Sequence, residues 1–116
     1  MRKLFFKDGI PGFEHLHDWI FEENKAMSYL YAQKEKDVKF TVSSPFDLFR
    51  TYRPVIEEKY FEHLGGEADH DFRLYVIVDV DNATANLAAP ILVNNKNNTA
   101  MQIIVENDYS CHAMVK

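Results

Sequence analysis

Val38-Lys39-Phe40-Thr41-Val42-Ser43 is the stretch that decides the fold, because its apolar and polar side chains alternate strictly. A period of two is typical of a β-strand with one buried face. Met27–Gln33, just upstream, is rich in aromatic and aliphatic residues and is apolar on both faces. The polar connection Lys34–Asp37 between the two stretches is short enough for a hairpin. The sequence therefore predicts an antiparallel pair of strands here.

Other stretches on both sides of this hairpin predict more strands. Trp19 and Phe21 alternate with their neighbours in a short strand that ends near Asn24. Phe72–Val80 alternates over its whole length and predicts a long central strand. A second hairpin is predicted around an Asn-rich turn, since asparagine tolerates positive φ. Its strands are Ile91–Asn94 and Met101–Glu106, and the expected core residues of the whole sheet include Phe40, Val76 and Val78.

One segment departs from the β pattern. Apolar side chains recur at helical spacing from Val55 to Leu64, with glutamates near the start and Gly65-Gly66 at the end. Asp47–Arg50, after Pro45, adds one further helical turn. Short strands with tight connections and one or two short helices predict a mostly β fold, a small closed or partly closed β-barrel. With no linker or repeat visible, residues 1–116 are expected to form a single domain.

Composition limits the function classes. The 116 residues are 47% hydrophobic and carry a formal net charge of −5 without a cluster of Lys and Arg, which disfavours direct nucleic-acid binding. No apolar run has the length of a membrane span, and no signal peptide is visible. The single cysteine, Cys111, has no partner for a disulfide within the chain. We expect a cytoplasmic monomer whose acidic surface attracts basic partners.

Catalytic and metal-binding patterns are weak. His15 and His17 lie on one side of an extended segment, and Asp69-His70-Asp71 resembles a ligand triplet, but neither has the spacing of a zinc site. Cys111-His112 are adjacent in sequence, whereas a nucleophile and its base usually meet through the fold. We therefore expect no catalytic residue, no metal and no cofactor. The alternative is a small-barrel metal- or ligand-binding protein, or an enzyme, that uses the His15/His17 region.

Two motifs resemble one known family. Two stretches are similar to signatures of the flagellar assembly factor FliW family: Gly9-Ile10-Pro11-Gly12-Phe13-Glu14 and Thr84-Ala85-Asn86-Leu87-Ala88-Ala89-Pro90. Shorter elements of the same family are matched in the same order at Ser44-Pro45-Phe46 and Thr51-Tyr52. The resemblance extends from about Phe5 to Tyr109. It implies a regulator, not an enzyme, that binds flagellin and antagonises the translational repressor CsrA by partner switching, so regulating flagellin synthesis.

The two ends of the chain differ from the family pattern. We expect the strand that usually precedes the Phe-rich segment to be missing, which would leave the edge of that segment exposed. The last residues, Cys111–Lys116, also lack the family's usual ending.

Four residues are candidate partner contacts. Phe46, Phe49 and Tyr52 crowd an irregular segment that begins at Pro45, where one strand or helix face cannot bury all three rings. Partly exposed aromatics are good protein-binding anchors, and Phe49 is the first choice. The alternative is that all three rings close one end of the barrel. Asn86, in the second motif, is a candidate contact or a turn residue that hydrogen-bonds nearby backbone.

Overall fold

The computed structural model describes residues 1–66 and 71–115, and these residues form nine strands and two short helices. Both helices lie between the fourth and fifth strands. In chain order the elements are β1 Arg2–Phe5, β2 Asp18–Glu22, β3 Ser28–Ala32, β4 Lys39–Ser43, α1 Pro45–Leu48, α2 Glu58–His63, β5 Phe72–Asp79, β6 Thr84–Ala85, β7 Ile91–Asn94, β8 Thr99–Gln102 and β9 Ala113–Met114.

Seven of the strands close into a barrel in the order β4-β3-β2-β1-β8-β7-β5, with β5 returning to β4. All neighbours in the ring are antiparallel except β1 and β8, which run parallel and are joined by the single residue pair Phe5 and Thr99. β6 and β9 extend the sheet outside the ring from the end of β5. At Val78, β5 therefore pairs with Thr41 on one edge and with Ala85 on the other. The predicted closed, mostly β fold is confirmed.

The barrel interior is filled by large apolar side chains. Trp19 and Phe6 are fully buried, and their rings lie 5.9 Å apart. Phe40 is only partly buried, with its ring 5.9 Å from that of Trp19. Val76 and Val78 are buried as predicted, but on the face of β5 that points away from the barrel interior, in a separate cluster that contains Tyr52. The indole Nε1 of Trp19 donates a 3.0 Å hydrogen bond to the Leu16 carbonyl, so the one polar group of this side chain has a partner.

The turn between β1 and β2 covers one end of this interior. Gly9 has a φ of 68°, in the left-handed region that glycine enters without steric cost. Its backbone passes so close to Glu14 that a Cβ there would lie 2.6 Å from the Glu14 Cα. The carboxylate of Glu14 accepts a hydrogen bond from the Gly12 N–H, and this bond lowers the pKa of Glu14. The motif around Gly9 is therefore explained by packing within the turn.

The structure shortens several predicted elements. The helix expected over Val55–Leu64 begins only at Glu58, and the strand expected over Met101–Glu106 ends at Gln102. Beyond Gln102 the backbone hydrogen bonds to other segments: the Ile103 N–H donates to Pro90 and the Val105 N–H to Ala88. The expected exposed edge of β1 is also wrong in part, because β1 pairs with β2 along its length and with β8 at Phe5. Among the described residues, no helix has both the length and the apolar character needed to span a membrane.

Candidate protein-binding site

An apolar cleft of about 390 Å³ lies between the two helices and the barrel wall. Its floor is formed by β5 and β7, and its sides by α1, α2 and the segment that joins them. The ring of Phe61, on α2, packs edge-on against Phe72, on β5, with the centroids 4.9 Å apart. The residues that line the cleft are Ser44, Phe46, Ile56, Phe61, Leu74 and Leu92 together with Phe72, Arg73 and Tyr75.

Phe46 is the exposed aromatic of this cleft. Pro45 starts α1 at a position where its missing N–H needs no partner, and this places Phe46 in the first turn. The Phe46 side chain is 46% exposed and its ring lies 5.8 Å from that of Tyr52. A large ring half in solvent beside an apolar cleft has the character of an interface anchor.

Tyr52, in contrast, is an interior residue. It is only 1% exposed, its ring packs 4.7 Å from Tyr109, and its hydroxyl donates a 2.7 Å hydrogen bond to the Leu87 carbonyl. Burial, with a smaller contribution from Tyr109, raises the pKa of Tyr52 to about 12. Tyr52 is therefore the buried ring of the three, because contacts with segments distant in sequence enclose it, and its role as a partner contact stays a prediction.

Phe49 and Asn86 are less exposed than Phe46 and less buried than Tyr52. Phe49 is partly buried and packs against the cluster that contains Tyr52. Asn86 accepts a hydrogen bond from the Ala89 N–H at 3.1 Å, so its side chain holds the turn before β7. Partner contacts by Phe46, Phe49 or Asn86 stay a prediction, and Phe46 is the residue whose exposure best suits one.

Two cleft residues lie in the stretch for which the sequence predicts a helix, whereas Tyr109, outside the cleft, lies in no predicted element. The spacing of Ile56 and Phe61 predicts one helix face, but only Phe61 lies on α2, and Ile56 precedes that helix. Tyr109 had no such signal, since it lies in an irregular segment. Its hydroxyl accepts a hydrogen bond from the Arg53 N–H at 2.9 Å, which fixes the chain beyond Tyr52.

The two histidines do not converge on one site. The Nδ1 of His17 lies 2.8 Å from the Phe6 carbonyl, while the Nε2 of His15 lies 4.0 Å from a Glu35 carboxylate oxygen. In residues 1–66 and 71–115, no group of three or more His, Cys, Asp or Glu side chains is placed to hold a metal ion. Asp69 and His70 of the predicted ligand triplet lie outside the described residues. The described geometry thus offers no support for the metal-binding alternative.

Removing the Tyr52 hydroxyl tests this part of the structure. We expect Tyr52→Phe to lower the free energy of unfolding by about 1–3 kcal/mol, because the Leu87 carbonyl loses its buried donor. Tyr31→Phe is the control, since the Tyr31 hydroxyl makes only an exposed 3.5 Å contact with the Met1 sulfur. Equal stability of the two variants in urea unfolding would contradict the assignment.

The same hydroxyl adds a pH dependence. Because the folded-state pKa of Tyr52 is raised above its ordinary value of 10.0 to about 12, its contribution to stability is complete below pH 10 and declines as the pH rises toward 12. Tyr52→Phe should remove this part of the alkaline decline, which thermal melts at increasing pH would measure.

A closed barrel with an open apolar cleft and an exposed aromatic at its edge has the features of a protein-binding module. Comparison with known proteins identifies its family. The sequence profile of the FliW protein family matches residues 1–115, and the chain therefore belongs to the FliW family.

Individual relatives are similar along most of their length. The flagellar assembly factor FliW of Thermoanaerobacter pseudethanolicus is 35% identical over 113 residues, which cover 90% of this chain and 75% of that protein. The corresponding protein of Borreliella afzelii is 35% identical over 109 residues, covering 89% and 83%. A crystal structure of the flagellar assembly factor FliW superposes with a TM-score of 0.89 at 28% identity, over 97% of this chain and 84% of that one. The family resemblance read from the two motifs is confirmed.

Proposed function

We propose that this chain is a flagellar assembly factor that binds flagellin and antagonises CsrA by switching between the two partners. Membership of the FliW family supports the flagellar role. The observation that carries the binding role is the apolar cleft with the half-exposed Phe46 at its edge. Such a site works by burying apolar surface of a partner, and this requires no bond to be made or broken.

The cleft suits an apolar segment of flagellin. Its volume of about 390 Å³ accommodates a few side chains, and Phe72, Leu74 and Leu92 give it an apolar floor beside the charged Arg73. Acidic residues follow two of the lining positions: Asp47 follows Phe46, and Glu57 follows Ile56. Because Arg73 lines the cleft and the Glu57 carboxylate already lies 3.5 Å from the Lys59 Nζ, apolar contact and not charge favours a partner segment at this site.

The charge of the whole chain supports the second partner. CsrA binds RNA and is expected to carry a basic surface, which a chain of net charge −5 attracts. When flagellin occupies the protein, CsrA is free to repress flagellin synthesis. When flagellin is exported, the freed protein sequesters CsrA and synthesis resumes. Both states depend on mutually exclusive or coupled binding, and we assign no catalytic step to the protein.

Truncation of the exposed ring tests the cleft. We expect Phe46→Ala to weaken flagellin binding by at least about tenfold, the effect of losing an interface anchor. The Tm should fall by no more than about 4 °C, because a half-exposed ring contributes little to folding. Pull-down and titration with purified flagellin monomers and CsrA from the same organism would measure the affinities.

The matched control is Phe5→Ala. Phe5 is 44% exposed, close to the exposure of Phe46, but it lies on β1 and does not line the cleft. Affinity for flagellin should be retained in this variant. Loss of binding in Phe5→Ala but not in Phe46→Ala would move the site away from the cleft. Failure of the unmodified, folded protein to retain either partner would remove the functional proposal.

A further inference from the structure

A second hollow, of about 360 Å³, lies on the outer face of the barrel at β1, β2 and β3. We call it the basic groove. The residues that line it include Arg2, Lys3, Ile20, Tyr31, Gln33 and Lys36. It shares no lining residue with the apolar cleft. The two hollows are therefore separate surfaces, and a property of one can be tested without disturbing the other.

The strand register places lysine at both ends of an apolar row. Lys3 pairs with Ile20, Ile20 with Tyr31, and Tyr31 with Lys39. Directly opposed residues on antiparallel strands have their side chains on the same face. Because Trp19 and Leu30, the chain neighbours of Ile20 and Tyr31, are buried inside the barrel, this row is on the outside. Ile20 and Tyr31 are only partly buried there.

The charge of the groove is opposite to that of the chain. The chain has a net charge of −5, yet Lys3 and Lys36 line the groove and no carboxylate does. Arg2 also lines it, but its guanidinium lies 5.4 Å from the centre of the Phe21 ring and donates a hydrogen bond to Asn98. The nearest carboxylate to Lys3 is that of Asp18, at 3.9 Å, in a pair whose side chains are both partly exposed. Exposed pairs of this kind contribute little. Glu35, next to Lys36, has its carboxylate 4.0 Å from the His15 Nε2.

We propose that the basic groove docks an acidic, extended segment of a partner protein. An apolar side chain of that segment covers Ile20 and Tyr31, while carboxylates on either side meet Lys3 and Lys36. Alternating acidic and apolar side chains match the spacing of a surface whose centre is apolar and whose rim is cationic. A nucleic acid gains affinity by having many phosphates neutralised, and two lysines on an acidic chain supply few such contacts.

Charge reversal at the groove tests the proposal. The probe is a fluorescein-labelled peptide, Glu-Asp-Leu-Glu-Phe-Glu-Asp, and its binding is followed by fluorescence anisotropy. We expect saturable binding to the full chain that weakens at least about tenfold in the double variant Lys3→Glu/Lys36→Glu. The milder Lys3→Gln/Lys36→Gln should give an intermediate loss, and thermal melts should show that all variants fold.

Two controls make the result specific to the groove. Lys25→Glu changes the net charge by as much as each substitution of the double variant does. Lys25 lies in the turn at the opposite end of β3 from Lys36, so this variant should bind the peptide nearly as well as the unmodified chain. Phe46→Ala should also bind the peptide normally, because Phe46 lines the other hollow. A peptide in which lysine replaces each acidic residue should not bind.

Four outcomes would overturn the proposal. These are the absence of saturable peptide binding, equal affinity in the double variant, an equal loss in Lys25→Glu, and tighter binding of a single-stranded RNA oligonucleotide or of phosphatidylserine vesicles than of the peptide. The last outcome would assign the groove to phosphate groups. None of the four depends on whether flagellin or CsrA binds, so this test and that of the proposed function fail separately.

Discussion

Trp19→Ala should lower the free energy of unfolding by about 3–5 kcal/mol, the usual cost of deleting a large buried aromatic. Trp19 is fully buried in the barrel and packs against Phe6 and Phe40, with both ring centroids 5.9 Å away. The substitution leaves a cavity and deprives the Leu16 carbonyl of its indole donor. Since small domains are stable by only about 5–15 kcal/mol, the variant should be marginally folded.

Ile20→Ala is the matched control for this prediction. Ile20 is the next residue on the same strand, but it lies on the outer face and is only partly buried. Its truncation should cost no more than about 1 kcal/mol. Urea unfolding should be followed by far-UV circular dichroism, because the chain has one tryptophan and its fluorescence disappears with the substitution. Similar midpoints for the two variants would contradict the burial of Trp19.

Gly9→Ala is expected to lower the free energy of unfolding by roughly 2–5 kcal/mol, because strain and overpacking act together. The added Cβ would lie 2.6 Å from the Glu14 Cα and 2.7 Å from the Phe13 carbonyl oxygen. These are backbone atoms, which cannot relieve the clash by a rotamer change as the end of a flexible side chain can. The φ of 68° adds the cost of holding an L-residue in the left-handed region.

Gly12→Ala separates the two causes. Gly12 also has a positive φ, of 92°, but a Cβ there would meet nothing within 4 Å. This variant should therefore lose only the conformational part, about 1–2 kcal/mol. The difference between the two variants in thermal or urea unfolding measures the close approach at Gly9. If both variants unfold at the same midpoint, the close approach contributes nothing.

Regular alternation made most strands predictable. The hairpin of β3 and β4 and that of β7 and β8 form where local pattern and turn residues agree. The parallel pairing of β1 with β8 could not be predicted in this way, because it depends on how the ends of the barrel meet and not on either strand's own pattern. β6 and β9, each of two residues, are too short to show a period at all.

The sequence pattern does not decide which rings of the segment after Pro45 are exposed. Of the three aromatics that crowd the segment after Pro45, Phe46 lines the cleft. The burial of Tyr52 depends on Leu87 and Tyr109, which lie far along the chain and gave no local signal. The choice among neighbouring rings was therefore decided by tertiary contacts, and these favour Phe46 over Phe49 as the exposed one.

The thin join between β1 and β8 has a consequence for folding kinetics. The hairpins of the ring close over short loops. In contrast, the pair of Phe5 and Thr99 joins segments that are far apart in the chain, and it is the only residue pair between β1 and β8. The entropy lost in closing so long a loop is repaid only once the rest of the ring is in place. We therefore expect ring closure to follow hairpin formation on the folding pathway. By the same reasoning this join is the first part of the ring to open in the native state, and its amide protons should exchange with solvent before those of β4 and β5.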